Sequence, residues 1–297
     1  MGEWIDLLDP TSDQLRATLP PDLHESDLTK LAAPGAAGRP GLVDHDGHVF
    51  GVLIVPVADR PADDVFYQEI DVVLTAERLI TVRKTTPGRP AFDTSVTRET
   101  CRPDDGTERC FYRLVDAITD RYLDLVDDVE DEIGELEDHV EQRSPAAVGL
   151  QVRRLRHQIL HVRRTLAPMR DAVRAVADSR VRLPAIDPSP AIQHDFAGVH
   201  DRLLRAADGL ELAHDLLAGV RDYSQAKAAQ DQNDVIRRLT AVASLILVPT
   251  FIVGLYGQNF LDMPEFHWGI WGYIWSWGLI LVVTLVQLWY FRRKRWL

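Results

Sequence analysis

Two stretches near the C-terminus contain no charged side chain, and they constrain the fold more than any other feature. LTAVASLILVPTFIVGLY runs from Leu239 to Tyr256, and WGIWGYIWSWGLILVVTLVQLWYF runs from Trp268 to Phe291. A helix needs about 20 mostly apolar residues to cross a hydrocarbon core about 30 Å thick. The second run meets this outright. The first does so when Gly257-Gln258-Asn259 is counted with it, which gives a span of 239–260. Taken alone, the first run, with Ser244, Pro249 and Thr250, also suits a buried core helix. The second run argues for a membrane pair, because the gap between them is too short for another domain.

Lys and Arg stay preferentially on the cytosolic side of a membrane. Arg237 and Arg238 precede the first span, and Arg292, Arg293, Lys294 and Arg295 follow the second as a basic tail, 292–297. Both termini are therefore expected in the cytosol, with a multi-pass chain in the plasma (inner) membrane. The connecting loop, 261–267, holds Asp262 and Glu265 without Lys or Arg, so it is expected outside, where its charge attracts cations. Trp268, Trp271, Trp275 and Trp277 suit an interfacial belt. The N-terminal MGEWIDLLDP lacks the basic-then-apolar run of a secretory signal, which leaves the bulk of the chain on the cytosolic side. A net charge of -12 disfavours nucleic acid as a partner. Cys101 and Cys110 have no neighbouring zinc-type spacing and read as free thiols in a reducing compartment.

The cytosolic part changes pattern near residue 110. Within 1–110, LVDHDGHVFGVLIVPV carries an Asp46-Gly47 turn signal, and YQEIDVVLT and RLITVRK flank a tight turn at Ala76 and Glu77, as expected of a small α/β domain. Within 111–188 the periodicity is helical. Leu114, Ile118, Tyr122, Leu125, Val129, Ile133 and Leu136 form one stripe, opposite Asp120, Asp124, Asp127, Asp128, Asp131, Glu135 and Asp138. A second helix, from Ala146 to about Ser179, is rich in arginine, so an antiparallel hairpin with acidic-to-basic cross-pairing is expected. His157 and His161 stand at i, i+4 on it; they can bind zinc as a pair or be ordinary surface residues, and no third ligand is evident. A third helix is expected to start at the Ser189-Pro190 cap, with a stalk of 189–238 running into the first span. At 1.5 Å per residue such a helix is roughly 100 Å long, more than a small domain covers, so packing against further copies of the chain is inferred.

Alternating steps of three and four from Asn233 pick out Asn233, Ile236, Thr240, Ala243, Leu247, Thr250 and Gly254. In a ring of parallel helices this seam lines an axis, with polar or small positions and apolar constrictions at Ile236 and Leu247 that can gate by dewetting. Small residues equally suit a helix interface, and the pattern alone serves both readings. Uncharged spans fit an ion that keeps part of its water, as Mg2+ does.

At the end of the first span Tyr256-Gly257-Gln258-Asn259-Phe260, followed by Met263-Pro264-Glu265, resembles the YGMNF and MPE signature of the CorA family of divalent cation channels and transporters. NDVIRRLT from Asn233 to Thr240 is similar to that family's NxxMKxLT segment, YFRRKRWL to its basic tail, and IDVVLTAERLITVRK and LVDAITDRYLDLVDDVEDEIGELE to further segments. The resemblance implies an α+β cytosolic domain, long stalk helices and two C-terminal transmembrane helices, assembled as a funnel-shaped homopentamer with one central pore. It implies a selectivity filter of Gly257, Gln258 and Asn259, in which Gly257 permits the turn and Asn259 forms a ring of five amides that recognises the hydrated ion. Asp262 and Glu265 would concentrate cations outside. Family members are inhibited by cytosolic Mg2+ held by carboxylates between subunits, and Asp222 falls at one such position, though an ordinary exposed helix residue fits it as well.

Gln258 replaces the family's usual Met. The zinc-transporting ZntB branch also replaces it, so Mg2+ is favoured over Zn2+, Co2+ or Ni2+ with the last three kept open. No resident cofactor is implied; the metals are cargo and regulator. An oligomeric membrane-anchored scaffold is the non-transporting alternative, against which the GQN turn and anionic loop speak. No Gly-rich phosphate loop, Ser-His-Asp order or HExxH helix suggests an enzyme.

Overall fold

The computed structural model describes residues 2–21, 23–33, 38–45, 47–59, 64–85, 88–89, 91–102, 104–184, 190–258 and 263–296. The chain divides into two compact units, Met1–Arg221 and Asp222–Leu297.

The first unit is built on a five-stranded sheet in the order β1-β5-β4-β3-β2. Its strands are β1 (Glu3–Leu8), β2 (Gly41–His45), β3 (His48–Asp59), β4 (Asp64–Thr75) and β5 (Arg78–Arg83). All pairings are antiparallel except β1 with β5. The Ala76-Glu77 turn closes as expected, with the Thr75 hydroxyl accepting from the Arg78 amide at 2.9 Å. At the β2–β3 turn Gly47 has φ +97°, a conformation glycine adopts without a steric penalty; Asp46 lies outside the described residues. β1 is an addition to the sequence reading.

Strand alternation sorts the side chains into two cores. Phe50, Val52, Val73, Ile80 and Val82 pack against Leu15 and Leu19 from α1 (Ser12–Thr18) and its C-cap, and against Leu31 of α2 (Glu25–Ala32). Val49, Leu53, Val55, Ile70, Val72, Leu74 and Leu79 face the long helices instead. Those are α4 (Thr107–Asp138), α5 (Pro145–Ala177) and the first part of α6 (Pro190–Tyr256), with the short α3 (Ser95–Thr100) leading in. The buried Tyr122 hydroxyl of α4 donates to the Ile54 carbonyl of β3 at 3.0 Å, and burial pushes that phenol's pKa up.

The first core also encloses three ionisable side chains. Lys84 Nζ donates to Glu69 Oε1 at 2.7 Å and to the Lys30 carbonyl of α2 at 2.8 Å, and it forms an ion pair with Asp71 Oδ2 at 2.7 Å. Burial pushes the Asp71 carboxyl up to about 7, although the Lys84 hydrogen bond and charge pull the other way. For Lys84 burial works against the charge, yet its bonds to Asp71 and Glu69 outweigh this and leave its pKa raised.

Several expectations shift in the helical layer. α4 begins at Thr107, ahead of Phe111. α5 is capped by Ser144, whose side chain accepts from the Ala147 amide at 3.3 Å, with Pro145 in the first turn. The acidic face of α4 is shared between two neighbours: Glu132 lies 4.0 Å from Arg154 of α5, whereas Asp116 and Asp120 pair with Arg202 of α6. Phe196, Val199, Leu203, Ala206, Leu210, Ala213, Leu217 and Val220 of α6 are buried within the chain's own core. The chain's own core thus covers α6 as far as Val220, and the need for further copies inferred from its length falls on the exposed stretch that follows. Ser189, the expected cap, lies outside the described residues.

Cys101 and Cys110 are free thiols, as expected. Burial, followed by the neighbouring Cys101 thiol, pushes Cys110 up to about 12, and burial also raises Cys101. Both are therefore poor nucleophiles near neutral pH. His161 stacks on Tyr67 at a centroid distance of 5.6 Å, and no third metal ligand joins it and His157 among the described residues.

Candidate cation pathway

The second unit comprises the end of α6, a 3-10 turn (Pro264–Trp268) and α7 (Ile270–Arg293). Both helices are long and apolar enough to cross a membrane, and almost none of either apolar stretch is buried within the chain itself. A core helix of a soluble protein would be covered by its own chain. Apolar surface of this extent needs lipid or other copies over it. α7 starts at Ile270 rather than Trp268, because the preceding tryptophan sits in the 3-10 turn and Gly269 takes φ +59° between them.

Each helix nevertheless covers one face. On α6 the half-buried positions Ser244, Leu245, Val248, Pro249, Ile252 and Tyr256 continue a stripe from the fully buried Ala241. Asn233, Ile236, Thr240, Ala243, Leu247, Thr250 and Gly254 lie off that stripe and are all exposed, Leu247 to 68%. The seven thus share an uncovered face of a single chain.

The local chemistry of this face is neutral. Thr240 and Thr250 donate their hydroxyl protons back to the carbonyls of Ile236 and Ile246, each at 2.8 Å. The protons are satisfied within the helix, and the hydroxyl oxygens remain available as acceptors. Pro249 withholds an amide from the Leu245 carbonyl, yet the helix continues to Tyr256. Such a break is tolerated within a membrane when a side chain or water satisfies the freed group.

After Tyr256 the Gly257 amide bonds to the Val253 carbonyl at 3.0 Å and the Gln258 amide to that of Leu255 at 3.3 Å. Gly257 makes this turn without a left-handed φ, so conformational freedom is not its reason. A Cβ there would stand 3.4 Å from the carbonyl oxygens of both Val253 and Gly254, an ordinary contact with the preceding turn, so a side chain also fits at this position. Gln258 is exposed. Asn259 and Asp262 lie outside the described residues, and Glu265 belongs to the 3-10 turn. Asp222 is exposed on α6. Sequence reasoning passed over one cluster entirely, Asp27 with His45 and His48 in the first unit; the Asp46-Gly47 hairpin signal could have found its two histidines, since that turn makes them partners.

A sheet-and-helix unit whose last helix continues into one of two apolar helices defines a class, the two-span membrane proteins with a large extramembrane α+β domain. The sequence model described as CorA-like Mg2+ transporter protein matches residues 2–293, and the chain belongs to that family of divalent cation transporters. It is 28% identical over 269 residues to the cobalt/magnesium transport protein CorA of Thermotoga maritima, covering 87% of this chain and 73% of the relative. It is 30% identical over 188 residues to the zinc transport protein ZntB of Photorhabdus laumondii, covering 62% and 54%. The complete CorA magnesium transporter of Methanocaldococcus jannaschii shares the fold, with a TM-score of 0.79 at 20% identity over 99% of this chain and 91% of that one.

Proposed function

We propose that the chain carries Mg2+ into the cell through a pore formed by the first spans of five identical subunits, with both termini cytosolic. The observation that carries this reading is the uncovered, uncharged seam from Asn233 to Gly254, which leads to the Gly257-Gln258-Asn259 filter. Hydroxyl and amide oxygens at this spacing suit an ion that retains several waters, since they can bind it through those waters without stripping them. Ile236 and Leu247 are the rings that close the path by dewetting. Asp262 and Glu265 raise the local cation concentration outside, and an inside-negative potential favours influx of a divalent ion by about 4.6 kcal/mol per 100 mV.

The similarity to ZntB relatives and the departure at Gln258 support a second cargo, Zn2+, or Co2+ and Ni2+. The test is uptake into liposomes reconstituted with the full chain, comparing the four ions. Mg2+ is expected to pass best, and Gln258→Met to change the ratio of rates among the ions. No flux above empty liposomes would sink the transport reading, and an unchanged ratio would remove Gln258 from selectivity.

Asp222 is assigned to an inhibitory Mg2+ site between subunits on the cytosolic side. Asp222→Ala is expected to shift inhibition by internal Mg2+ to higher concentration, because one of the anionic ligands is gone. An unaltered dose response would take Asp222 out of the sensor.

A further inference from the structure

The hairpin at the sheet's outer edge places two imidazoles against a buried carboxylate. In the β2–β3 register His45 faces His48, and directly opposed residues project from the same face of a sheet. Their rings stack, with centroids 5.0 Å apart and planes at 29°. The same face receives α2, which sets Asp27 Oδ2 3.1 Å from His45 Nε2. Asp27 is 2% exposed and His48 4%. One donor atom from each of the three residues lies within 4.8 Å of the other two.

We propose that Asp27, His45 and His48 bind one divalent ion of the zinc class, Zn2+, Co2+ or Ni2+. The site uses no residue of the transport path and stands whichever ion crosses the membrane. Two imidazoles and a carboxylate are a donor set for borderline metals, whereas Mg2+ takes oxygen ligands in an octahedron. Metal bonds of about 2.1 Å bring tetrahedral ligands to roughly 3.4 Å from one another, so His48 closes on the other two by at most about 1.4 Å through side-chain rotation, while Asp27 Oδ2 and His45 Nε2, 3.1 Å apart, part slightly. His24, the N-cap of α2, has its ring 5.1 Å from that of His45 and can supply a fourth donor in place of water.

An Asp27–His45 ion pair alone is the plainer account. It leaves two things unexplained. It gives no reason for a second imidazole against the pair, and the buried Asp27 Oδ2 accepts no hydrogen bond of good geometry even with His45 so near. Lys30 Nζ stands 3.4 Å from Oδ1, the other oxygen, which leaves Oδ2 for the ion. Half-exposed His45 provides the approach from solvent. A metal here would fasten α2 to the hairpin.

The test uses the full-length, tag-free chain in detergent, stripped of metal and titrated with Co2+. Four-coordinate Co2+ absorbs visible light far more strongly than the hydrated octahedral ion, so binding here is separable from binding along the transport path. One equivalent is expected to produce the intense spectrum, to be displaced by Zn2+ and to survive excess Mg2+. His45→Gln and His48→Gln should each weaken it by at least about tenfold. His45→Gln changes a half-exposed side chain and guards against a folding defect at the more buried His48. A spectrum of hydrated Co2+ only, or one unchanged in both variants, would overturn the proposal.

Discussion

Replacing Lys84 by Met is expected to lower stability by about 3–5 kcal/mol at pH 8, the range found when one member of a buried ion pair is removed. Lys84 is 6% exposed, and its ammonium is shared by Glu69 and Asp71, which are 3% and 0% exposed. Met fills the space of the aliphatic stem but leaves two carboxylates facing one another without a cation. The bond to the Lys30 carbonyl is lost as well, which loosens α2. The defect should depend on pH with a definite sign. Asp71 already titrates at about 7 in the folded protein against an ordinary value of 3.8. A carboxyl whose folded pKa is raised contributes stability that is present below the unfolded value and is lost as pH rises through the folded one. Removing the ammonium strengthens this, so the variant should recover much of its deficit between pH 8 and pH 5 as the carboxylates take up protons. Melting of the purified chain, followed by tryptophan fluorescence or circular dichroism, measures this. A depression on the order of 10 °C at pH 8 that shrinks at pH 5 is the expected result. Equal melting of variant and parent at pH 8 would show that the three charges are not coupled.

How much of this was legible beforehand follows from the range of the forces involved. The apolar helices could be read because lipid imposes about 20 uncharged residues on every span, a constraint written locally in the chain. The stripes of α4 and the alternation of β3, β4 and β5 are local in the same sense. β1 escaped notice because WIDLL is short and sits on the sheet by pairing with Arg78–Arg83, which lie far along the chain. α1 and α2 are too short to show a helical period. Arg202 was not assigned to Asp116 and Asp120 because it lies on α6, which has no excess of basic residues to mark it as a partner, whereas the arginine-rich α5 is the helix that charge complementarity points to. The Lys84 network and the Asp27 cluster depend on α2 lying over the sheet, a tertiary fact with no periodic signature. In the second unit the seam itself was read from spacing, and its exposure in a single chain is what the structure adds.

Asn259→Ala is expected to reduce divalent flux by on the order of a hundredfold or more while leaving folding intact. The residue follows Gly257 and Gln258 at the end of the first span, where the resemblance to the YGMNF signature assigns it to the ion. A hydrated divalent ion is recognised through its water protons, and a side-chain amide oxygen accepts from them at no charge cost. Each such hydrogen bond contributes about 0.5–1.5 kcal/mol net. In the proposed pentamer one substitution acts five times, giving about 2.5 kcal/mol even at the lower bound, and every 1.4 kcal/mol is tenfold. Conduction also requires that the ion leave, so stronger binding is no remedy. Asn259→Asp, which keeps an acceptor but adds a ring of five negative charges, should bind the ion more tightly and pass it more slowly, separating recognition from throughput. Flux into liposomes under an imposed inside-negative potential reads both variants. If Asn259→Ala retained flux within about twofold of the parent, the amide ring would be excluded as the filter. The neutral oxygens of Thr240 and Thr250 along the seam would then have to account for selectivity, and Thr250→Val would become the variant that loses it.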